Sequence, residues 1–164
     1  MKLRIPGPQA LEPGLRALGF QPRTPAQAEE SVLWDRGREL LDQGCALRVR
    51  RYGGATLLTF KGARQPHPTL KIRPEFETAV EDGEALEAIL QALGFRPVLR
   101  MVKTRAVWDR EELVACLDET PFGNFLELEG EPRAIHLAME ALGLGPDRIE
   151  TRSYAALFSE VPQG

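Results

Sequence analysis

The chain has 164 residues, 43% of them hydrophobic and 27% charged, with a formal net charge of −3 at pH 7. That length suits one domain with a real core and excludes two comfortable ones. The acidic balance argues against a general nucleic-acid binder, whose surface is broadly basic, and no apolar run reaches the ~18 residues that a membrane-spanning helix needs.

The opening MKLRIPGPQ lacks the apolar centre of a signal peptide, so the chain is expected in the cytoplasm. Cys45 and Cys116 stand alone and read as reduced, buried small hydrophobes. His67 and His136 have no Cys or His partner at metal-ligand spacing, which argues against zinc.

In chain order, a strand is expected at 2–5. PQALEPGLRALGF (8–20) follows as a helix with Leu11, Leu15 and Leu18, shortened or distorted by Pro13 and Gly14. Strands are expected at 31–35, 46–52 and 55–61, the last two joined by a tight turn at Gly53 and Gly54. Residues 62–69, GARQPHPT, read as a loop before a strand at 70–79. The clearest helix is GEALEAILQALGF (83–95), with Leu86, Ile89, Leu90 and Leu93 on one face. Strands at 98–108, 112–118 and 124–129 follow, with Asp109, Arg110, Glu111 and Glu112 at a solvated hairpin tip. PRAIHLAMEALGL (132–144) forms a last helix, with Ile135, Ala138, Met139 and Leu142 inward.

ALGFQP (17–22) recurs as ALGFRP (92–97) and ALGLGP (141–146). In each copy a helix runs into a Gly placed to act as its C′ cap, with Pro shortly after. The repeated helix ends suggest two related halves. The layout is one α+β domain over 1–164 with a largely antiparallel sheet.

Side chains alternate across a strand, so charged residues two apart share a face. Lys2 and Arg4 lie opposite Leu3 and Ile5; Arg48 and Arg50 lie opposite Leu47 and Val49. Lys71, Arg73, Glu75 and Glu77 lie opposite Leu70, Ile72 and Phe76. Lys103 and Arg105 lie opposite Val102 and Ala106, and Glu127 and Glu129 opposite Leu126 and Leu128. Lys61 and Asp118 close two further strands. A single such pair is ordinarily a wet sheet face. Here, however, the positions are nearly all ionic and segregated by strand, which wastes the cross-strand attraction a surface would use. The alternative is a sheet curled into a barrel, charged side inward and helices outside, around a polyanion and a metal. Arg forks grip phosphate oxygens bidentately, and paired carboxylates suit Mg²⁺ or Mn²⁺.

The order ALRVR (46–50), LTFKG (58–62), KIRPEFE (71–77), VKTRAVW (102–108), CLDETPFGNFLELEG (116–130) and TRSYAALF (151–158) resembles the CYTH superfamily, the triphosphate tunnel metalloenzymes. That family includes class IV adenylate cyclases, thiamine triphosphatases and inorganic triphosphatases. The resemblance implies an eight-stranded antiparallel barrel forming a tunnel, with basic residues on the triphosphate and acidic ones on Mg²⁺ or Mn²⁺. By matching positions, Arg48, Arg50, Lys61, Arg73, Lys103 and Arg105 would bind phosphate, with Arg4 and Lys71 on the same faces. Glu127 and Glu129 would hold metal, with Glu75 and Glu77 on the metal side and Asp118 a weaker candidate. The expected activity is hydrolysis of a triphosphate or its cyclisation. The partner is a small-molecule triphosphate, and a homodimer follows from family analogy alone.

Lys2 falls at the lysine of the family's N-terminal E-x-E-x-K, whose two glutamates would stand before Met1. A start assigned too late, a trimmed chain and a polyphosphate-binding module with an impaired metal site all remain open readings. Lys2 is accordingly a candidate catalytic base, or a phosphate ligand only. Trp34, Trp108 and Tyr52 read as packing or barrel-end aromatics, and Tyr154 as a residue that either reaches the tunnel or docks the C-terminal segment.

Overall fold

The structure is a computed structural model and describes residues 1–63, 65 and 73–160. Its elements run β1 (Lys2–Ile5), α1 (Pro8–Ala17), β2 (Gln21–Asp35), α2 (Glu39–Asp42), β3 (Ala46–Tyr52), β4 (Ala55–Lys61) and β5 (Glu75–Val80). There follow α3 (Gly83–Ala92), β6 (Arg96–Arg110), β7 (Leu113–Thr120), β8 (Gly123–Glu129), α4 (Pro132–Ala141), a 3₁₀ turn (Pro146–Arg148) and α5 (Tyr154–Ser159). The fold is α+β. The strands hydrogen-bond in the order β1-β8-β7-β6-β2-β3-β4-β5, and the paired registers are antiparallel. No hydrogen-bonded pairing closes this order among the described residues. The topology is consistent with the tunnel fold.

The chain divides into two compact units, Met1–Ala28 with Lys103–Gly164, and Glu29–Val102. In the first, Leu3, Leu117, Leu126 and Leu128 on one sheet face are fully or almost fully buried, and α1 lies against β7 and β8. α1 buries Leu11 and Leu15, and α4 buries Ile135, Ala138 and Met139. α1 runs unbroken through Pro13 and Gly14, so the expected shortening does not occur. Gly14 has a packing reason: a methyl added there would stand 2.9 Å from Cδ2 of Leu142, the residue that caps the end of α4. In the second unit, Val32, Trp34 and Val49 of the sheet pack with Leu90 of α3, joined by Leu47, Leu58, Leu86 and Phe95.

The three ALG echoes are three Schellman endings. Gly19, Gly94 and Gly143 all have positive φ, at 85, 88 and 68°. The amide after each returns to the helix: Phe20 to Leu15 O, Phe95 to Leu90 O and Leu144 to Met139 O, at 3.0, 2.9 and 3.0 Å. The hairpin at Gly53 and Gly54 also forms as expected, with Tyr52 opposite Ala55 and both glycines left-handed.

Two elements differ from expectation. β2 starts at Gln21 rather than 31, despite Pro22 and Pro25. β3 pairs with β2 only over Glu29–Trp34. Residues 21–28 therefore lie beyond that ladder, where a missing N–H costs less. The strand expected at 70–79 is β5 at Glu75–Val80, with Arg73 just before it; residues 66–72, including Lys71 and His67, lie outside the described residues.

Candidate functional site

Register decides which side chains share a face, because directly opposed residues on antiparallel strands point the same way. In the first unit Lys2 opposes Glu127, Arg4 opposes Phe125, Cys116 opposes Glu127 and Arg105 opposes Asp118. Lys103, two residues before Arg105, joins them. Ionic groups from four strands thus occupy one side of the sheet and the leucines the other.

At the centre is Asp118, fully buried. Its Oδ1 accepts from Arg105 Nε at 2.6 Å; its Oδ2 accepts from Arg105 Nη2 at 2.6 Å, Lys103 Nζ at 3.0 Å and Tyr154 OH at 2.5 Å. Burial alone would raise its carboxyl, but Arg105, then Lys103 and Tyr154, more than reverse this and hold it at about 2. Arg105 Nη2 also donates to Glu127 Oε2 at 2.6 Å. Burial works against the Arg105 charge, yet Asp118 and then Glu127 carry it well above its ordinary value. Glu127 is likewise raised by burial and lowered more strongly by Arg105 and Lys103, so it stays below the usual carboxylate range.

The C-terminal segment completes this cluster. Lys2 Nζ donates to Arg152 O at 2.6 Å, and its ammonium lies 4.1 Å from the Tyr154 ring centroid. Arg4 donates twice to Glu150 Oε2, at 2.6 and 3.1 Å, and stacks on Phe125. Glu150 also takes the Arg152 guanidinium on both oxygens. Arg152 first, and then Arg4, hold the Glu150 carboxyl far below its ordinary value against the effect of burial.

The second unit has its own charged face. Arg48 opposes Thr59 and Thr59 opposes Glu77; Lys61 opposes Glu75; Arg50 opposes Ser31 of β2. Arg50 Nη2 donates to both Glu77 oxygens at 3.3 and 3.2 Å, and Thr59 Oγ1 donates to Glu77 Oε2 at 2.7 Å. Arg48 stands 3.7 Å from Glu77, and Arg50 stands 3.8 Å from the buried Glu29. Lys61 donates to Glu75 at 2.7 Å, and Arg73 donates to the other Glu75 oxygen at 3.4 Å. Burial first, then neighbouring Arg48, push the Lys61 ammonium below its ordinary value against the pull of Glu75. Glu75 is raised by burial and lowered further by Lys61 and Arg73.

Within its own unit, then, each face gathers the residues read from the sequence, apart from Lys71, which lies outside the described residues. Lys2, Arg4, Lys103, Arg105, Asp118 and Glu127 meet in the first, with Glu129 exposed at the end of β8. Arg48, Arg50, Lys61, Arg73, Glu75 and Glu77 meet in the second. Sequence reasoning missed Glu29, Thr59, Glu150 and Arg152. Glu29 alternates with Ser31 and was legible once β2 was allowed to start earlier. Glu150 follows a 3₁₀ turn, where no periodicity marks it.

The model of the CYTH domain matches residues 1–153. The chain belongs to the CYTH domain family. Among relatives of this CYTH chain is a Methanocaldococcus jannaschii protein named "Putative adenylate cyclase", 29% identical over 96% of this chain and 95% of its own. A Vibrio parahaemolyticus structure, also named a "putative adenylate cyclase", superposes with a TM-score of 0.83 at 20% identity, over 97% of this chain and 95% of that one. A Hippeastrum structure, described as a "putative adenylyl cyclase" that "reveals a dominant" triphosphatase activity, gives 0.68 at 20% identity, over 97% and 93%. At those identities the two structures speak for the fold of the CYTH chain.

Among the described residues no three His, Cys, Asp or Glu side chains gather as a metal-holding group. Asp118 accepts from three cationic or hydroxyl side chains through both oxygens, which suits a fixed counter-ion rather than a ligand. Glu127 in the first unit, and Glu75 and Glu77 in the second, keep part of their carboxylates exposed, the oxygen-donor type that hard cations take. No helix among the described residues is long and apolar enough to cross a membrane.

Proposed function

We propose that this CYTH chain is a metal-dependent enzyme acting on a triphosphate-containing substrate, whether inorganic, nucleoside or thiamine triphosphate. The observation that carries this reading is the pairing of arginines with carboxylates: Arg105 with Asp118 through Nε and Nη2 and with Glu127 through Nη2, and Arg50 with both Glu77 oxygens through Nη2. A guanidinium meets carboxylate and phosphate oxygens through the same bidentate geometry. In this reading phosphate oxygens replace the partly exposed Glu77 and Glu127 on their arginines, while the buried Asp118 stays paired with Arg105 and Lys103. Family membership and the activities named for the M. jannaschii and Hippeastrum proteins point the same way.

In hydrolysis water attacks the terminal phosphorus, its bond to the bridging oxygen breaks, the rest of the substrate leaves and the attacked group becomes phosphate; in cyclisation a ribose 3′-hydroxyl attacks the α-phosphorus and pyrophosphate leaves. In both, charge grows on phosphate oxygens, and the cations proposed to stabilise it are Lys103 and Arg105 on the face of the first unit and Arg48, Arg50 and Arg73 on that of the second. Lys61, with its lowered proton affinity, and Lys2 are the lysines proposed to bind phosphate or move a proton. A bound Mg²⁺ or Mn²⁺ would supply further charge neutralisation, with Glu127 the proposed donor in the first unit and Glu75 and Glu77 those proposed in the second.

The carboxylates' engagement with cations also favours a second reading, a module that binds polyphosphate without turning it over. One experiment separates the two. Phosphate release from inorganic, nucleoside and thiamine triphosphates is measured with Mg²⁺ or Mn²⁺, with cyclic AMP assayed in parallel. Turnover of any substrate supports the enzyme; tight tripolyphosphate binding without turnover supports the module; neither binding nor turnover ends both.

A further inference from the structure

Tyr154 is the first residue of α5 and belongs to no face of the sheet. Its backbone is anchored on both sides. Ser153 Oγ caps α5 by accepting from Ala156 N at 3.1 Å, and Arg152 is clamped by Glu150 and by Glu160 at 2.9 Å. Its ring packs edge-on against Phe125, with centroids 5.5 Å apart. These contacts would suffice if Tyr154 only docked the C-terminal segment.

Two further contacts are not needed for docking. The ammoniums of Lys2 and Lys103 both lie over the Tyr154 ring, 4.1 and 4.3 Å from its centroid. These lysines come from β1 and β6, strands separated in the sheet by β8 and β7. Like charges brought together by separate strands repel, and the negative face of an aromatic ring offsets part of that repulsion. Asp118 already pairs with Lys103 at 3.0 Å, and the ring lies against both ammoniums. The hydroxyl is spent on Asp118, which fixes the ring's tilt.

We propose that Tyr154 is a positioning residue for the triphosphate, its ring holding the Lys2 and Lys103 ammoniums together as a cationic pair that meets phosphate oxygens. The proposal rests on the triphosphate reading above. It assigns the work to the ring, with the hydroxyl secondary.

The test is the affinity of the full chain for inorganic tripolyphosphate by calorimetry, for wild type, Tyr154→Phe and Tyr154→Leu. The phenylalanine variant should bind within about threefold of wild type, and the leucine variant at least about tenfold more weakly, as expected for contacts with two cations. In a Lys2→Met, Lys103→Met background, Tyr154→Leu should cost almost nothing further, whereas a docking role would cost the same in either background. Wild-type affinity in Tyr154→Leu overturns the proposal and leaves the triphosphate reading intact. Equal weakness in the Phe and Leu variants assigns the effect to the hydroxyl and also overturns it. Failure of the wild type to bind tripolyphosphate overturns the triphosphate reading, and the role of Tyr154 with it. Should Tyr154→Leu unfold, the ε-methylene protons of Lys2 and Lys103 provide the readout. Upfield ring-current shifts in wild type and Tyr154→Phe support the pairing, and their absence refutes it.

Discussion

Arg105 and Asp118 oppose each other across β6 and β7 and meet through two hydrogen bonds of 2.6 Å, one to each carboxylate oxygen. Lys103 and Tyr154 share the same carboxylate, so one buried anion holds two cations and a hydroxyl. Breaking a buried pair by removing one partner leaves the other charge uncompensated. Asp118→Asn should therefore destabilise the fold by about 3 kcal/mol, read by chemical denaturation. A loss under about 1 kcal/mol would mean that solvent or Glu127 substitutes freely for Asp118.

The same geometry sets an acid limb. Asp118 is depressed from its ordinary 3.8 to about 2 in the folded chain. Its stabilising contribution is present above the ordinary value of 3.8 and is lost as pH falls from there to about 2, because over that range the unfolded chain takes up the proton and the folded chain does not. Stability should be level from pH 7 to 5 and decline below 4. The decline should be shallower in Asp118→Asn, with the remainder carried by Glu127 and Glu150, which are also lowered. Identical acid limbs in wild type and variant would refute the assignment.

Arg50 gives both Glu77 oxygens a donor. If phosphate takes Glu77's place, Arg50→Ala should weaken tripolyphosphate binding by at least ~1.5 kcal/mol, the worth of a charge-assisted contact. Glu77→Gln should instead leave binding unchanged or tighter, since it removes the competing anion. Arg105→Ala should weaken binding by a similar amount. Unchanged affinity in both arginine variants would sink the phosphate assignment.

Glu127 and Glu129 sit two residues apart on β8, yet only Glu127 adjoins Arg105; Glu129 is exposed. Glu127→Gln should shift the Mg²⁺ or Mn²⁺ dependence of activity to higher metal concentration, with a smaller effect on metal-free tripolyphosphate affinity. Glu129→Gln should have the lesser effect of the two on the metal titration. A metal titration unmoved by Glu127→Gln would remove it as a donor.

The two cysteines should differ sharply in reactivity. Cys116 is 4% exposed, and burial first, with the nearby carboxylates, pushes its thiol up to about 11 despite Arg105. Cys45 is only partly buried. Thiolate, not thiol, reacts with alkylating reagents. At pH 8 native protein should take up one equivalent of iodoacetamide, at Cys45, and a second only after denaturation. Rapid native labelling of Cys116 would show that its surroundings open.

Much of this was legible before any coordinates. The alternation of ionic and apolar residues named the strands and their two faces, because a strand's period of two is a local property of the backbone. The helix ends were legible for the same reason: a left-handed Gly after an apolar repeat is a local signature, and all three echoes form it. Prolines hid the start of β2, since a proline is tolerated wherever the ladder does not need its N–H, and that depends on what lies alongside.

The amino-acid order alone determined that Lys2, Arg48, Arg50, Lys103, Arg105 and Glu127 stand on the side of their strands opposite the apolar residues that flank them. Tertiary structure decided which charge answers which: that Asp118 serves Arg105 and Lys103, that Arg4 is taken by Glu150, and that Tyr154 reaches both lysines. Those pairings join distant residues, Arg4 and Glu150 being 146 positions apart. They depend on register between strands and on where the C-terminal segment returns, and neither is a property of any local stretch of chain.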